Sequence, residues 1–202
     1  TEKYDILNAT TGEYYNHQID NAWEAGTSLP ILKAENDGKF GVINKRGEMI
    51  HEPVYDEIQI YSDYIRGYVE GEGYRILAED GNQSETFFSH IGEQSGDMLA
   101  VTGSDTQHTG VGVFSLDTMS LIEPCIHGEM RSCEDGIYTL LDTIDDEETG
   151  IEFKICVVTQ DGTWDINEQF GGTYVGVDSL WNVKDGTIQD GKIAIRIYGN
   201  VN

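Results

Sequence analysis

Short runs of β-branched and aromatic residues, four or five long and bounded by glycine or acidic residues, recur along the chain. Examples are Tyr4-Asp5-Ile6-Leu7, Phe40-Gly41-Val42-Ile43, Tyr74-Arg75-Ile76-Leu77, Val111-Gly112-Val113-Phe114 and Ile193-Ala194-Ile195-Arg196-Ile197. The last alternates strictly, as a half-buried strand does. Apolar stretches such as Lys154 to Val158 have strand length, far short of the roughly 20 residues of a membrane-spanning helix. The best helical candidate, His17 to Ala25 around Trp23, does not exceed two turns. The pattern predicts an all-β chain of many short strands, and 24 Gly against 3 Pro supply its tight turns.

The pattern also repeats. Gly41 to Pro53 aligns without gaps on Gly112 to Pro124, 71 residues later, with identical Gly, Val, Glu and Pro. That offset is twice about 35, within the range of repeat units. Tyr74 to Gly81 supplies a middle copy, and Ile6 to Gly12 an earlier one. Cys156 to Gly162 comes later, displaced by a nine-residue acidic insertion, Asp142 to Gly150; a last copy begins at Lys192. About five antiparallel β-sheet units of roughly 35–44 residues, in a single domain 1–202, are expected, as a propeller-like ring or an open β solenoid. Turn glycines should adopt positive φ, and Pro53 and Pro124 should mark strand ends.

Gly38-Lys39-Phe40-Gly41-Val42-Ile43-Asn44-Lys45-Arg46-Gly47-Glu48-Met49-Ile50, followed by Glu52-Pro53-Val54-Tyr55-Asp56-Glu57-Ile58, resembles the bacterial WG-containing repeat. Phe40 replaces the tryptophan of that family's name, and Val111 before Gly112 is not aromatic. The resemblance implies a β-rich repeat scaffold, often on exported or surface proteins, with no settled activity and no catalytic residues to carry over.

Charge narrows the partners. Asp and Glu number 37 against 12 Lys and Arg, a net charge of −25, divided almost evenly between the halves. Such a surface repels nucleic acid and anionic membranes, and its evenness suits a solvated face repeated in each unit. With 38% hydrophobic and 10% aromatic residues the chain can still bury a core. It opens on Thr1, which suggests a removed leader and, with the repeat resemblance, an extracellular or cell-envelope location.

Candidate chemistry is sparse. His51-Glu52-Pro53-Val54-Tyr55 lacks the second histidine of a zinc-protease helix, and His51 reads as a strand-end surface residue. The five histidines show no ligand spacing, and Gly92-Glu93-Gln94-Ser95-Gly96 is not a nucleophile elbow. Cys125, Cys133 and Cys156 are odd in number. Cys125 falls at the repeat position of Val54 and reads as a buried thiol; a bridge from Cys125 or Cys156 to Cys133 is the alternative.

The acidic insertion, with Asp142, Asp145, Asp146, Glu147 and Glu148, is a candidate calcium loop. Asp161, Asp165 and Glu168 are near enough in sequence to add ligands. Trp23, Tyr61, Tyr64, Trp164 and Trp181 could stack on sugars or anchor a protein. The expected function is a non-enzymatic interaction module binding a protein partner, with a carbohydrate-binding module second and a small glycoside hydrolase using paired carboxylates third. A protein binder should expose an apolar or aromatic patch, a sugar binder coplanar rings, and a hydrolase two facing carboxylates.

Overall fold

The computed structural model describes residues 2–24, 29, 31–106, 108–146 and 150–169. The described chain is all-β apart from one helical turn, and every described strand pairing is antiparallel. The chain divides into two compact units, residues 1–88 and 89–202.

The first unit opens with a hairpin of β1 (Tyr4–Leu7) and β2 (Tyr14–Ile19). A four-stranded meander follows: β3 (Asn21–Glu24), β4 (Ile31–Asn36), β5 (Lys39–Asn44) and β6 (Met49–Tyr55). Then come β7 (Glu57–Ile60), β8 (Ile65–Val69) and β9 (Gly73–Leu77), again paired in chain order. The best helical candidate, His17 to Ala25, thus holds the end of β2 and all of β3, Ala25 lying outside the described residues. Its alternation decides the matter: Tyr15, His17 and Ile19 turn inward while Tyr14, Asn16 and Gln18 face solvent.

Strand β5 is buried on both faces. Val42 joins Ile31, Tyr55, Ile58, Ile65 and Leu77, whereas Ile43 joins Ile19 and Ala34 on the other side. Two-faced burial is why this strand reads as a continuous apolar run and does not alternate.

The second unit contains β10 (Phe88–Ser95, whose first residue belongs to the first unit), β11 (Met98–Gly103), β12 (Val111–Ser115) and β13 (Ser120–His127). A further meander comprises β14 (Glu129–Glu134), β15 (Ile137–Asp146), β16 (Gly150–Thr159) and β17 (Gly162–Asp165), with the single turn α1 (Ile166–Gln169). In β15, residues 138–141 are likewise buried on both faces. Leu140 packs with Met98, Ala100, Val113, Tyr138 and Val158, and Leu141 packs with Ile155 and Val157.

Geometry recurs between the aligned segments. In β5–β6 the ladder runs from Phe40 opposite Tyr55 to Val42 opposite His51, so residues 52–54 bulge over Gly41. In β12–β13 it runs from Val111 opposite His127 to Val113 opposite Glu123, so residues 124–126 bulge over Gly112. Pro53 and Pro124 thus lie within strands, at bulges, and not at strand ends. A proline is tolerated there because a bulged residue is not asked to donate to the ladder.

The two copies are out of step by one residue along the second strand. The carbonyl facing Gly41 is that of His51, and the one facing Gly112 is that of Glu123, 72 residues later. The intervening turn is one residue longer in the second copy. Met119 (φ 51°), not Thr118, occupies the left-handed position that Gly47 (φ 97°) holds in the first. Gly12, Gly81 and Gly162 also have positive φ, as the turns required. In this register Val54 corresponds to Ile126, both more than half exposed, and Cys125 corresponds to Pro53. Cys125 is buried, but not because it shares Val54's position.

His51 is also buried, contrary to the expected surface position. The bulge turns it inward, where its Nε2–H donates to the Ala78 carbonyl at 2.7 Å. Burial lowers its pKa, outweighing the hydrogen bond and the Asp80 charge, which raise it. The folded state therefore binds a proton less readily than the unfolded chain. The resulting stabilisation is fully present above the unfolded value of about 6.5 and is lost as pH falls through the lower folded value. The urea midpoint of wild type should drop between pH 7.5 and pH 5 by more than that of His51→Gln; equal drops would show that His51 contributes nothing to the acid limb.

Candidate functional site

A cluster of ionisable side chains in the second unit joins three strands. Strand β13 contributes Glu123 and His127, which the intervening bulge of residues 124–126 brings together. Strand β15 contributes Asp142, and β16 contributes Cys156. His127 is buried; its Nδ1 lies 2.7 Å from Asp142 Oδ2 and its Nε2 lies 2.9 Å from Glu123 Oε1. The second Asp142 oxygen accepts the Gly128 N–H at 2.9 Å, so this carboxylate is held from two sides.

A ring nitrogen of His127, a Glu123 oxygen and Cys156 Sγ all lie within 4.8 Å of one another. Cys156 is half-buried and sits opposite Asp165 of β17. Burial, reinforced by the carboxylates of Glu123, Asp165 and Asp142, pushes its thiol up to about 12.

The acidic stretch is not wholly a loop. Asp142 to Asp146 continue β15, pairing in register with Lys154 to Gly150 of β16. Both Asp142 oxygens already accept hydrogen bonds. Asp145 and Asp146 are ladder residues, and Glu147 and Glu148 lie outside the described residues. Asp161 precedes β17 and Asp165 ends it, and the Asp165 side chain accepts the Glu168 N–H. The cluster that does form was missed because its members are distant in sequence. The one local signal was Glu123-x-x-x-His127 in a run of strand character.

All three cysteines are free thiols, so the alternative bridge to Cys133 is not formed. Cys125 is pushed up to about 11, chiefly by burial. Burial also raises the Cys133 thiol, with the Glu93 carboxylate adding to it.

The aromatic candidates separate. Tyr61 and Tyr64 stack on each other, with ring centroids 4.6 Å apart, and Tyr64 is buried. Trp23 is partly exposed on β3 and meets Phe40 edge-on, while the Lys33 ammonium lies 4.0 Å from the Phe40 centroid. Trp164 is 40% exposed on β17; Trp181 lies outside the described residues.

Among the described residues, the first unit carries the larger apolar exposure. Leu7 and Tyr14 face each other across the β1–β2 ladder, 62% and 64% exposed, with Tyr4 exposed on the same strand. The Tyr14 hydroxyl donates to Asp5. A depression in the second unit, lined by His90, Glu93, Val101, Thr102, Val111 and Met130 among others, contains a single carboxylate, Glu93.

No family model matches the chain, and no curated protein matches its sequence. Among solved structures, Kuenenia stuttgartiensis hydrazine synthase is similar at 8% identity with a TM-score of 0.33, over 86% of this chain and 59% of that one. The chain thus spans about three-fifths of that structure's length. Neither fold nor activity is carried over from so distant a likeness.

Proposed function

We propose that the chain is a non-enzymatic interaction module of a cell-envelope or secreted protein, and that it docks a protein partner through the outer side of the β1–β2 hairpin. The observation carrying this reading is the paired exposure of Leu7 and Tyr14, two large apolar side chains facing each other across one short hairpin. A tyrosine at such a place offers broad contact area at little entropic cost, with a hydroxyl for the rim. The net charge of −25 favours a partner with a basic margin.

The same reading treats the meanders as about five copies of one unit of the WG-containing type, propeller-like or in an open solenoid. Its support is the matched bulge over Gly41 and Gly112. A carbohydrate-binding function is second, resting on the exposed Trp23 beside Lys33 and Phe40.

The test is saturable binding of bacterial envelope proteins to the immobilised chain, compared with Leu7→Asp and Tyr14→Asp. Loss of a retained partner by at least about tenfold in either variant is the expected result. Binding indifferent to both substitutions defeats the hairpin assignment. Glycan binding abolished by Trp23→Ala would favour the second reading.

A further inference from the structure

We propose that Glu123, His127 and Cys156 bind a divalent transition metal of the zinc class, with Asp142 fixing the imidazole from behind. The hydrogen-bond arithmetic at His127 leads there. A neutral imidazole has one N–H. Asp142 Oδ2, at 2.7 Å, is tied in place by the Gly128 N–H and takes that proton at Nδ1. The lone pair of Nε2 is then aimed at the Glu123 carboxylate, 2.9 Å away. Two electron-rich atoms this close in a largely buried place require a positive centre, either a second proton on the ring or a cation shared between them.

The third donor distinguishes these possibilities. Cys156 Sγ comes to the same point from a different strand, and a metal ion would displace its thiol proton and take the sulfur as a third ligand, which a proton shared by His127 and Glu123 would not. Bonds of about 2.0 to 2.3 Å meeting tetrahedrally place donor atoms roughly 3.3 to 3.6 Å apart. The 4.8 Å bound on these atoms closes to that range by about 1.2 to 1.5 Å of side-chain movement.

Ligand type selects the metal. One nitrogen, one sulfur and one oxygen suit zinc and its first-row neighbours, whereas calcium takes six to eight oxygens. The Asp142–His127 contact is the carboxylate–histidine arrangement that orients metal-bound imidazoles. Two strands of one unit, β13 and β16, supply the ligands and β15 supplies the orienting carboxylate, so all are held by paired backbone and not by a loop.

The test uses the whole chain, freed of metal by a chelator and titrated with zinc and, separately, with cobalt(II). One zinc equivalent per chain should bind saturably in competition with a chromogenic chelator. The cobalt form should show a near-ultraviolet sulfur-to-metal charge-transfer band. Cys156→Ser should remove that band, Cys133→Ser should leave it, and Asp142→Asn should weaken zinc binding roughly tenfold to a hundredfold. No saturable zinc uptake by the wild-type chain, or a charge-transfer band that survives Cys156→Ser, overturns the proposal. Saturable zinc uptake by the wild-type chain keeps the proposal falsifiable without any variant, should a substitution at this buried place impair folding.

Discussion

Gly112→Ala should destabilise the second unit by about 3 kcal/mol or more, enough to unfold much of the population of an ordinary domain. An added Cβ would lie 2.5 Å from the Glu123 carbonyl oxygen, 2.8 Å from the Pro124 carbonyl carbon and 2.9 Å from the Cys125 nitrogen. All three are backbone atoms of the bulge, so no side chain can rotate away, and relief requires shifting β13 itself. The same substitution at Gly41 meets the backbone of residues 51–53 at 2.5 to 2.9 Å, and a similar loss is expected in the first unit. Gly92 is the control: its added Cβ would lie 3.5 Å from the Ala100 carbonyl, an ordinary contact, and Gly92→Ala should stay within about 1 kcal/mol of wild type. Urea unfolding of the three variants checks the ordering. A tolerated alanine at Gly112 would mean that β12 and β13 do not approach as described.

Tyr138→Ala should cost about 3 to 5 kcal/mol, the range for removing a large aromatic from a core. The ring is fully buried among Met98, Ala100, Val113, Leu140 and Val158. Its hydroxyl reaches the Met98 carbonyl at 2.8 Å and the Glu93 carbonyl at 3.0 Å. Burial holds the hydroxyl protonated, far above the usual phenol range. Tyr138→Phe separates the two contributions: it keeps the ring and leaves a buried carbonyl without that donor, so about 1 to 3 kcal/mol is expected. Equal losses for Phe and Ala would assign the whole effect to the hydroxyl and contradict the packing account.

Strand identity was legible in the chain because burial on both faces leaves apolar runs such as Val42-Ile43 and Val113-Phe114 uninterrupted. The turn glycines were legible too, since positive φ at Gly47 and Gly81 excludes most other residues. The register of the second copy was not. Identical Glu-Pro pairs drew Pro124 onto Pro53, but a bulge absorbs an extra turn residue without disturbing the sheet, and the geometric partner of Pro53 is Cys125.

The acidic stretch misled for a related reason. Its charge argues for a loop, yet Ile151, Phe153 and Ile155 alternate with Glu152 and Lys154 across the hairpin, and that period-two pattern prevails through Asp146. The candidate metal cluster lay beyond sequence reasoning altogether. Its residues come from three strands, and only the fold sets Cys156 beside His127.

Pairing in strict chain order has a consequence for how the protein is made. Within each described meander, a strand's hydrogen-bonding partners are the segments synthesised just before and just after it. Closing such short connections costs little entropy, so each ladder can extend as the ribosome delivers it, without waiting for a distant partner. A chain built this way exposes one growing edge at a time, which limits the interval in which unpaired backbone can recruit a neighbouring copy and aggregate.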